Sequence, residues 1–149
     1  MRRIITPLLL VAVVCCTAAL WPRLRPDPIP LKADALEQYF YARETWLEPG
    51  FRLKGSERQR LLREALRGLQ VVVEAFPGDE AVVTRALAEY DSGTCYRALG
   101  ETDRAREAFL RVRDYKRYIT TRLHPSGRDE LEALLEAARE RLREVDGRT

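Results

Sequence analysis

The stretch Gly93-Thr-Cys-Tyr-Arg-Ala-Leu-Gly-Glu-Thr-Asp-Arg-Ala-Arg-Glu-Ala-Phe109 decides the fold. It reads as two helices joined by a tight turn at Gly100. Gly93 and Tyr96 lie on the first helix, Ala105 and Phe109 on the second. Forty residues earlier, Ala65-x3-Leu69 repeats the spacing of Ala105-x3-Phe109, and Pro77 closes that run. A glycine in mid-helix costs about 1 kcal/mol relative to alanine. That cost is tolerated where a second helix must come close, which the small Gly93 permits.

Apolar periodicity extends the helical reading in both directions. Asp34 can cap a first helix running to about Leu47, with Leu36, Tyr39, Phe40, Trp46 and Leu47 at helical spacing. Glu48-Pro49-Gly50 predicts its end, and Phe51 to Gly55 a loop. Ser56-Glu-Arg-Gln59 has the form of a capping box. It would open a second helix with Leu61, Leu62, Ala65, Leu66, Leu69, Val72, Val73 and Phe76 on one face. Val71-Val72-Val73 is β-branched enough for a strand, but the long periodic segment before it favours helix. Pro77-Gly78 ends the run, and Asp79 can cap the third helix, which carries Val82, Ala86, Tyr90 and Thr94. Thr102 or Asp103 starts the fourth, with Ala105, Ala108, Phe109 and Val112. His124-Pro125-Ser-Gly127 reads as a break. The last helix, about Arg128 to Val145, shows a narrow stripe of Leu131, Leu135, Ala138 and Leu142, with Glu136–Arg139 and Glu140–Arg143 on its wet side. Gly147 suits a C-terminal cap.

These residues resemble the tetratricopeptide repeat, two antiparallel helices following W-x2-L-G-x2-Y … A-x3-F … P. Gly93, Tyr96, Ala105 and Phe109 match one unit, with Glu89 and Ser92 in place of the Trp and Leu and Arg117 in place of the Pro. Ala65, Leu69 and Pro77 match the second half of an earlier unit. The run Phe76-Pro-Gly-Asp79 and Cys95-Tyr-Arg-Ala-Leu-Gly100 is also similar to envelope proteins of the outer-membrane-assembly and division-coordinator type. The resemblance implies a short α-solenoid with the last helix as its solvating cap. It implies a concave face built from the first helix of each pair, which selects Tyr90, Asp91, Thr94 and Arg97, and more weakly Tyr41 and Glu44, as a protein-binding groove. The alternative for Tyr90 is a core position.

Ahead of the helices, Ile4 to Trp21 carries no charge. Eighteen helical residues at about 1.5 Å each nearly span a hydrocarbon core of about 30 Å. Arg2, Arg3, Trp21, Arg23 and Arg25 are placed as membrane-interface residues. An uncleaved anchor is favoured by length over a cleaved secretory signal with Cys16-Thr-Ala-Ala19 as the processing site. A lipoprotein signal is disfavoured by Val13-Val14 ahead of Cys15 and Cys16. Pro22 to Pro30 contains four prolines, which favour a stiff extended spacer over a ligand for a proline-reading domain. The predicted organisation is a membrane or signal segment at 1–22, a proline-rich linker at 23–32, and an all-α domain of about five antiparallel helices at 33–149.

Of the 149 residues, 33% are charged and 46% hydrophobic, which is a globular composition. The formal charge is +3, but Arg2, Arg3, Arg23, Arg25 and Lys32 against Asp27 place the basic excess before the domain. The domain itself is nearly neutral, which argues against a nucleic-acid footprint even where Arg111, Arg113, Lys116 and Arg117 interleave with Tyr115 and Tyr118. The single histidine, His124, sits beside a proline, so no histidine cluster or imidazole triad can assemble. Cys95 is the domain's one thiol and reads as a small core residue. No phosphate-cradling glycine pattern occurs. These absences predict no enzyme, cofactor, metal or nucleic acid. The expectation is a membrane-anchored interaction adaptor or assembly scaffold, its domain periplasmic or otherwise extracytoplasmic, holding a peptide or one subunit of an envelope complex. The alternative is an integral accessory subunit whose apolar helix packs within a membrane complex.

Overall fold

The computed structural model describes residues 27–119 and 123–147. The apolar run and its flanking residues Arg2, Arg3, Trp21, Arg23 and Arg25 lie outside the described residues. Among those described, every regular element is helical, and no helix is long and apolar enough to cross a membrane. Six α-helices follow in order: α1 (Ala35–Ala42), α2 (Glu48–Arg52), α3 (Gly55–Ala75), α4 (Val82–Ala98), α5 (Thr102–Asp114) and α6 (Pro125–Val145). A π-helical segment, Arg43–Leu47, joins α1 to α2, and 3-10 turns occupy Asp79–Ala81 and Tyr115–Tyr118.

Asp34 caps α1 as the sequence predicts: its carboxylate accepts from the Glu37 amide at 2.8 Å. The predicted stop at Glu48-Pro49-Gly50 is a correction. The backbone stays helical from Ala35 to Arg52, and only Leu53 and Lys54 separate it from α3. Pro49 is tolerated because it directly follows the π segment, where the backbone has already left the regular α ladder. The π register absorbs the change of phase: the Glu48 amide reaches back to the Arg43 carbonyl. Tertiary packing then holds the turn, since Gly50 is buried with its Cα hydrogen against Leu62, where a Cβ would lie 3.0 Å from Leu62 Cδ2.

Three further boundaries differ from expectation. The Ser56–Gln59 box is not formed; α3 begins at Gly55, with φ +66°, and Lys54 precedes it without a side-chain cap. Asp79 opens a 3-10 turn instead of capping α4 with its side chain. Pro125 is the first residue of α6, so the predicted break at 124–127 is mostly helix. The wet-side pairs of α6 are Glu136–Arg139 at 2.9 Å, as expected, and Arg141–Glu144 in place of Glu140–Arg143. Gly100 and Gly147 both take the left-handed conformation past a helix end. At Gly100 the Glu101 amide bonds the Tyr96 carbonyl at 2.9 Å and the Gly100 amide that of Arg97 at 3.0 Å, which turns the chain within three residues.

Consecutive helices pack antiparallel around contiguous apolar clusters. One gathers Tyr39, Ala42, Leu47, Leu62, Ala65, Leu69, Val72 and Cys95; another gathers Ala105, Phe109, Val112 and Ala138; a third joins Val82 and Ala86 to Leu131 and Leu135. Each large side chain buried in full contributes about 1.5–3 kcal/mol. Two glycines set the closest helix approaches. A Cβ at Gly93 would lie 2.6 Å from the Phe109 ring, so α4 and α5 touch backbone to ring. A Cβ at Gly68 would lie 2.7 Å from that of Ala42 and 2.8 Å from the Trp46 ring, so α3 meets the first rod in the same way.

Gly93→Ala should therefore destabilise the fold. Overpacking of this kind costs about 1–3 kcal/mol, against a helix-propensity gain of about 1 kcal/mol. Urea denaturation should show a net loss, and Phe109→Leu in the Gly93→Ala background should recover part of it. A Gly93→Ala chain as stable as the parent would show that the approach is not limiting.

Candidate functional site

Helices α1, α4 and α6 are the first, third and last long elements, yet they lie side by side. α4 contacts both: Asp91 meets Tyr39 of α1, and Tyr90 and Arg97 meet Arg141 and Glu144 of α6. The residues that the sequence proposes for a groove sit on α4 along these two seams.

On the α1 side, Asp91 accepts a hydrogen bond from the Tyr39 hydroxyl at 2.8 Å. Arg43 donates to the same hydroxyl at 3.3 Å and to Glu48 at 3.1 Å. The chain Asp91–Tyr39–Arg43–Glu48 thus ties α4 to the π segment and α2. Burial pushes the Asp91 carboxyl above the ordinary aspartate range, and the Tyr39 bond and Arg43 charge pull against that shift without cancelling it. Burial, reinforced by Asp91, likewise raises the Tyr39 phenol.

On the α6 side, Tyr90 stacks against Phe109 at a ring separation of 5.6 Å, and its hydroxyl accepts from Arg141 Nε at 3.3 Å. Arg97 pairs with Glu144. Thr94 spends its hydroxyl on the Tyr90 carbonyl at 3.2 Å. Of the groove candidates on α4, Tyr90, Asp91 and Arg97 are therefore seam ties between helices, and Thr94 is satisfied within its own helix. Tyr41 packs edge-on against Trp46 at 5.2 Å, with the Lys32 ammonium 4.4 Å above its ring. Glu44 is exposed in the π segment.

The repeat-packing residues Ala65, Leu69, Ala105 and Phe109 are fully buried, Gly93 is buried, and Tyr96 is partly buried under Arg104, whose guanidinium lies 5.9 Å from its ring. Two of the three departures from the repeat pattern, Glu89 and Ser92, are also inside, while Arg117 is exposed. Glu89 is 7% exposed and pairs with Arg111 at 2.9 Å; Ser92 is 8% exposed and donates to the Ala88 carbonyl at 2.7 Å. Burial raises the Glu89 carboxyl, with Arg111 opposing. Arg111 is thus committed to an intramolecular partner, and Arg85 lies over the Tyr115 and Tyr118 rings at 5.8 and 6.0 Å.

Beside the α1–α4 seam a cleft of about 360 Å³ opens, lined by Arg43, Leu47, Glu48, Phe51, Arg52 and Asp91. Phe51 is 41% exposed at its edge. Sequence reasoning misses this cleft because it treats Phe51 and Arg52 as loop. A larger cavity of about 670 Å³ lies between the start of α4 and the start of α6. There His124 Nδ1 and Ser126 Oγ are engaged with each other at 2.9 Å. No group of three metal-ligating side chains occurs among the described residues. Cys95 is fully buried, with burial pushing its thiol far up. Comparison with family models, with curated proteins and with solved structures found no match.

Two substitutions test the Asp91 network. Tyr39→Phe removes the one hydroxyl donated to a half-buried carboxylate and should cost about 1–3 kcal/mol in urea denaturation. Asp91→Asn probes the charge. The raised carboxyl binds its proton more readily in the folded than in the unfolded chain, so its ionisation costs stability at neutral pH. That cost fades as pH falls through the raised value and is gone below the ordinary aspartate range. The stability of the Asn variant relative to the parent should accordingly decline as pH is lowered through that window. A difference independent of pH would show that Asp91 titrates normally.

Proposed function

We propose that this protein is a tetratricopeptide-like interaction adaptor or assembly scaffold, tethered to the cell envelope membrane by its apolar N-terminal segment. The observation that carries this reading is the sheet-like row of α1, α4 and α6, tied by Tyr39–Asp91 and Arg97–Glu144. Such a row is the arrangement from which stacked helix pairs make a shared binding face. The cleft beside it offers an aromatic edge at Phe51 and a guanidinium at Arg52, the residue types that anchor protein interfaces. A peptide or one face of a subunit is the ligand of fitting size.

The groove residues of α4 serve the fold in this reading, and contact with the partner falls to the cleft. Arg97→Glu would break the tie to Glu144 and so report on stability as much as on binding. Phe51→Ala with Arg52→Glu is the cleaner probe, because Phe51 is 41% exposed and the Arg52 side chain 79% exposed.

The tagged full-length chain should be extracted in gentle detergent and its co-purifying proteins identified by mass spectrometry. The Phe51→Ala, Arg52→Glu double variant should lose its main partner, since truncating an anchor residue costs about 2 kcal/mol or more. Glu136→Lys on α6 should retain it. Capture that survives the double variant but is abolished by replacing Ile4–Leu20 with an unrelated anchor would overturn the adaptor reading in favour of an integral accessory subunit.

A further inference from the structure

The five large apolar side chains that stand exposed among the described residues all fall between Leu31 and Leu53. Three of them lie within the ten residues from Leu31 to Phe40: Leu31 at 65%, Leu36 at 49% and Phe40 at 45% exposure. Leu36 and Phe40 are i and i+4 on α1 and share one face. That face looks away from the core, which α1 meets through Ala35, Gln38, Tyr39 and Ala42. The opposite end of the row is different: α6 presents Glu132, Glu136, Arg139 and Glu140 on its outer face. A stack of helices needs a polar surface at both ends to stay soluble. Here one end has it and the other does not.

From this we infer that the outer face of α1 rests against the interfacial region of the lipid bilayer, with Leu31, Leu36 and Phe40 inserted among the headgroups. The inference rests on the membrane-anchor reading above. Chain length allows this occupant. Trp21 ends the apolar run and Leu31 is ten residues on, so at the ~3.1 Å per residue of a polyproline chain no more than roughly 30 Å can separate them. The face is thereby kept within reach of the bilayer. The charges around it are compatible with headgroups. Asp34 is turned to the Glu37 amide and Glu37 to the Ala33 amide at 3.2 Å, so the acidic groups of the first turn are engaged with backbone. Lys32 adds positive charge beside lipid phosphates. Aromatic and aliphatic side chains on one helix face with basic residues beside them suit this depth.

The test uses the full-length chain with Cys15→Ala and Cys16→Ala, leaving buried Cys95 as the native thiol. An environment-sensitive fluorophore is attached in separate variants at Leu36→Cys, Phe40→Cys and, as a control on the polar end, Glu136→Cys. Each is reconstituted into phosphatidylcholine–phosphatidylglycerol vesicles carrying nitroxide-labelled lipid. Quenching at positions 36 and 40 should exceed that at 136 several-fold, and Leu31→Ser should reduce it. Vesicle flotation of the same samples reports the anchor independently. Equal quenching at all three positions in chains that float would overturn the bilayer contact while leaving the anchor intact. Quenching at position 40 by nitroxide on a second copy of the chain, and not by lipid, would assign the face to self-association and overturn it too. Chains that fail to float would overturn the anchor and this inference together.

Discussion

The approach of α5 to α4 at Gly93 is the constraint on which the other contacts depend. Phe109 is fully buried against a position where no side chain can stand. With the ring seated there, α5 lies close enough for Ala105 and Val112 to be covered by the same seam. The three-residue turn at Gly100 leaves the two helices no freedom to separate. The same seam brings Arg111 over Glu89, which gives a carboxylate 7% exposed its compensating charge. It also orients Tyr90, whose ring packs on Phe109 and whose hydroxyl meets Arg141 of α6. A single missing methyl group thus fixes one helix pair and, through Tyr90, the place of the last helix.

Polar groups inside the domain act on register more than on stability. Glu89 and Asp91 are both held above the ordinary carboxylate range by burial, so each costs stability when ionised at neutral pH. Each is nevertheless matched to one partner across a seam: Arg111 for Glu89, and Tyr39 for Asp91. An apolar pair in either place would slide with little penalty. A carboxylate left without its donor would not be tolerated, because an unpaired buried charge is among the costliest defects in a core. The ties therefore set which helix turn faces which, and the apolar clusters supply the attraction.

The parts of this structure legible in the sequence are those fixed by short-range spacing. Gly93, Ala105 and Phe109 lie within one hairpin, and Ala65 and Leu69 on one helix, so their burial follows from helical periodicity and side-chain size. What escaped is governed by contacts between distant segments. Glu48-Pro49-Gly50 is a strong local stop, but Gly50 packing on Leu62 and a π register before Pro49 carry the rod through it. Gly68 reads as an unremarkable helix glycine until Ala42 and Trp46 are found against it, twenty-six and twenty-two residues earlier. Ser56-x2-Gln59 has capping-box chemistry, yet the left-handed Gly55 starts α3 first. Of the residues that the sequence names for a groove, Tyr90, Asp91 and Arg97 lie along the contacts of α4 with α1 and α6. Their use as ties was illegible, because Tyr39, Arg141 and Glu144 stand far away along the chain.

The two ends of the helix row differ in a way that bears on how the protein is used. A terminal helix has one neighbour instead of two, so its outer face must be either hydrated or covered. α6 follows the first course, with glutamate and arginine outward and Leu131, Leu135 and Ala138 inward. α1 follows the second, keeping Leu36 and Phe40 outward although its inner face is already filled. Scattered apolar side chains on a surface need no explanation. Confinement of the large ones among the described residues to the first rod and its two flanks, Leu31 to Leu53, does, because a random distribution would also have exposed some on α3 to α6. The first rod is the part of the domain closest in sequence to the apolar run, and also the part that carries the cleft with Phe51 and Arg52. Placing both features on one rod leaves the rest of the domain a scaffold: its glycine-set seams and buried ties hold a short helix in position, and that helix meets what lies outside.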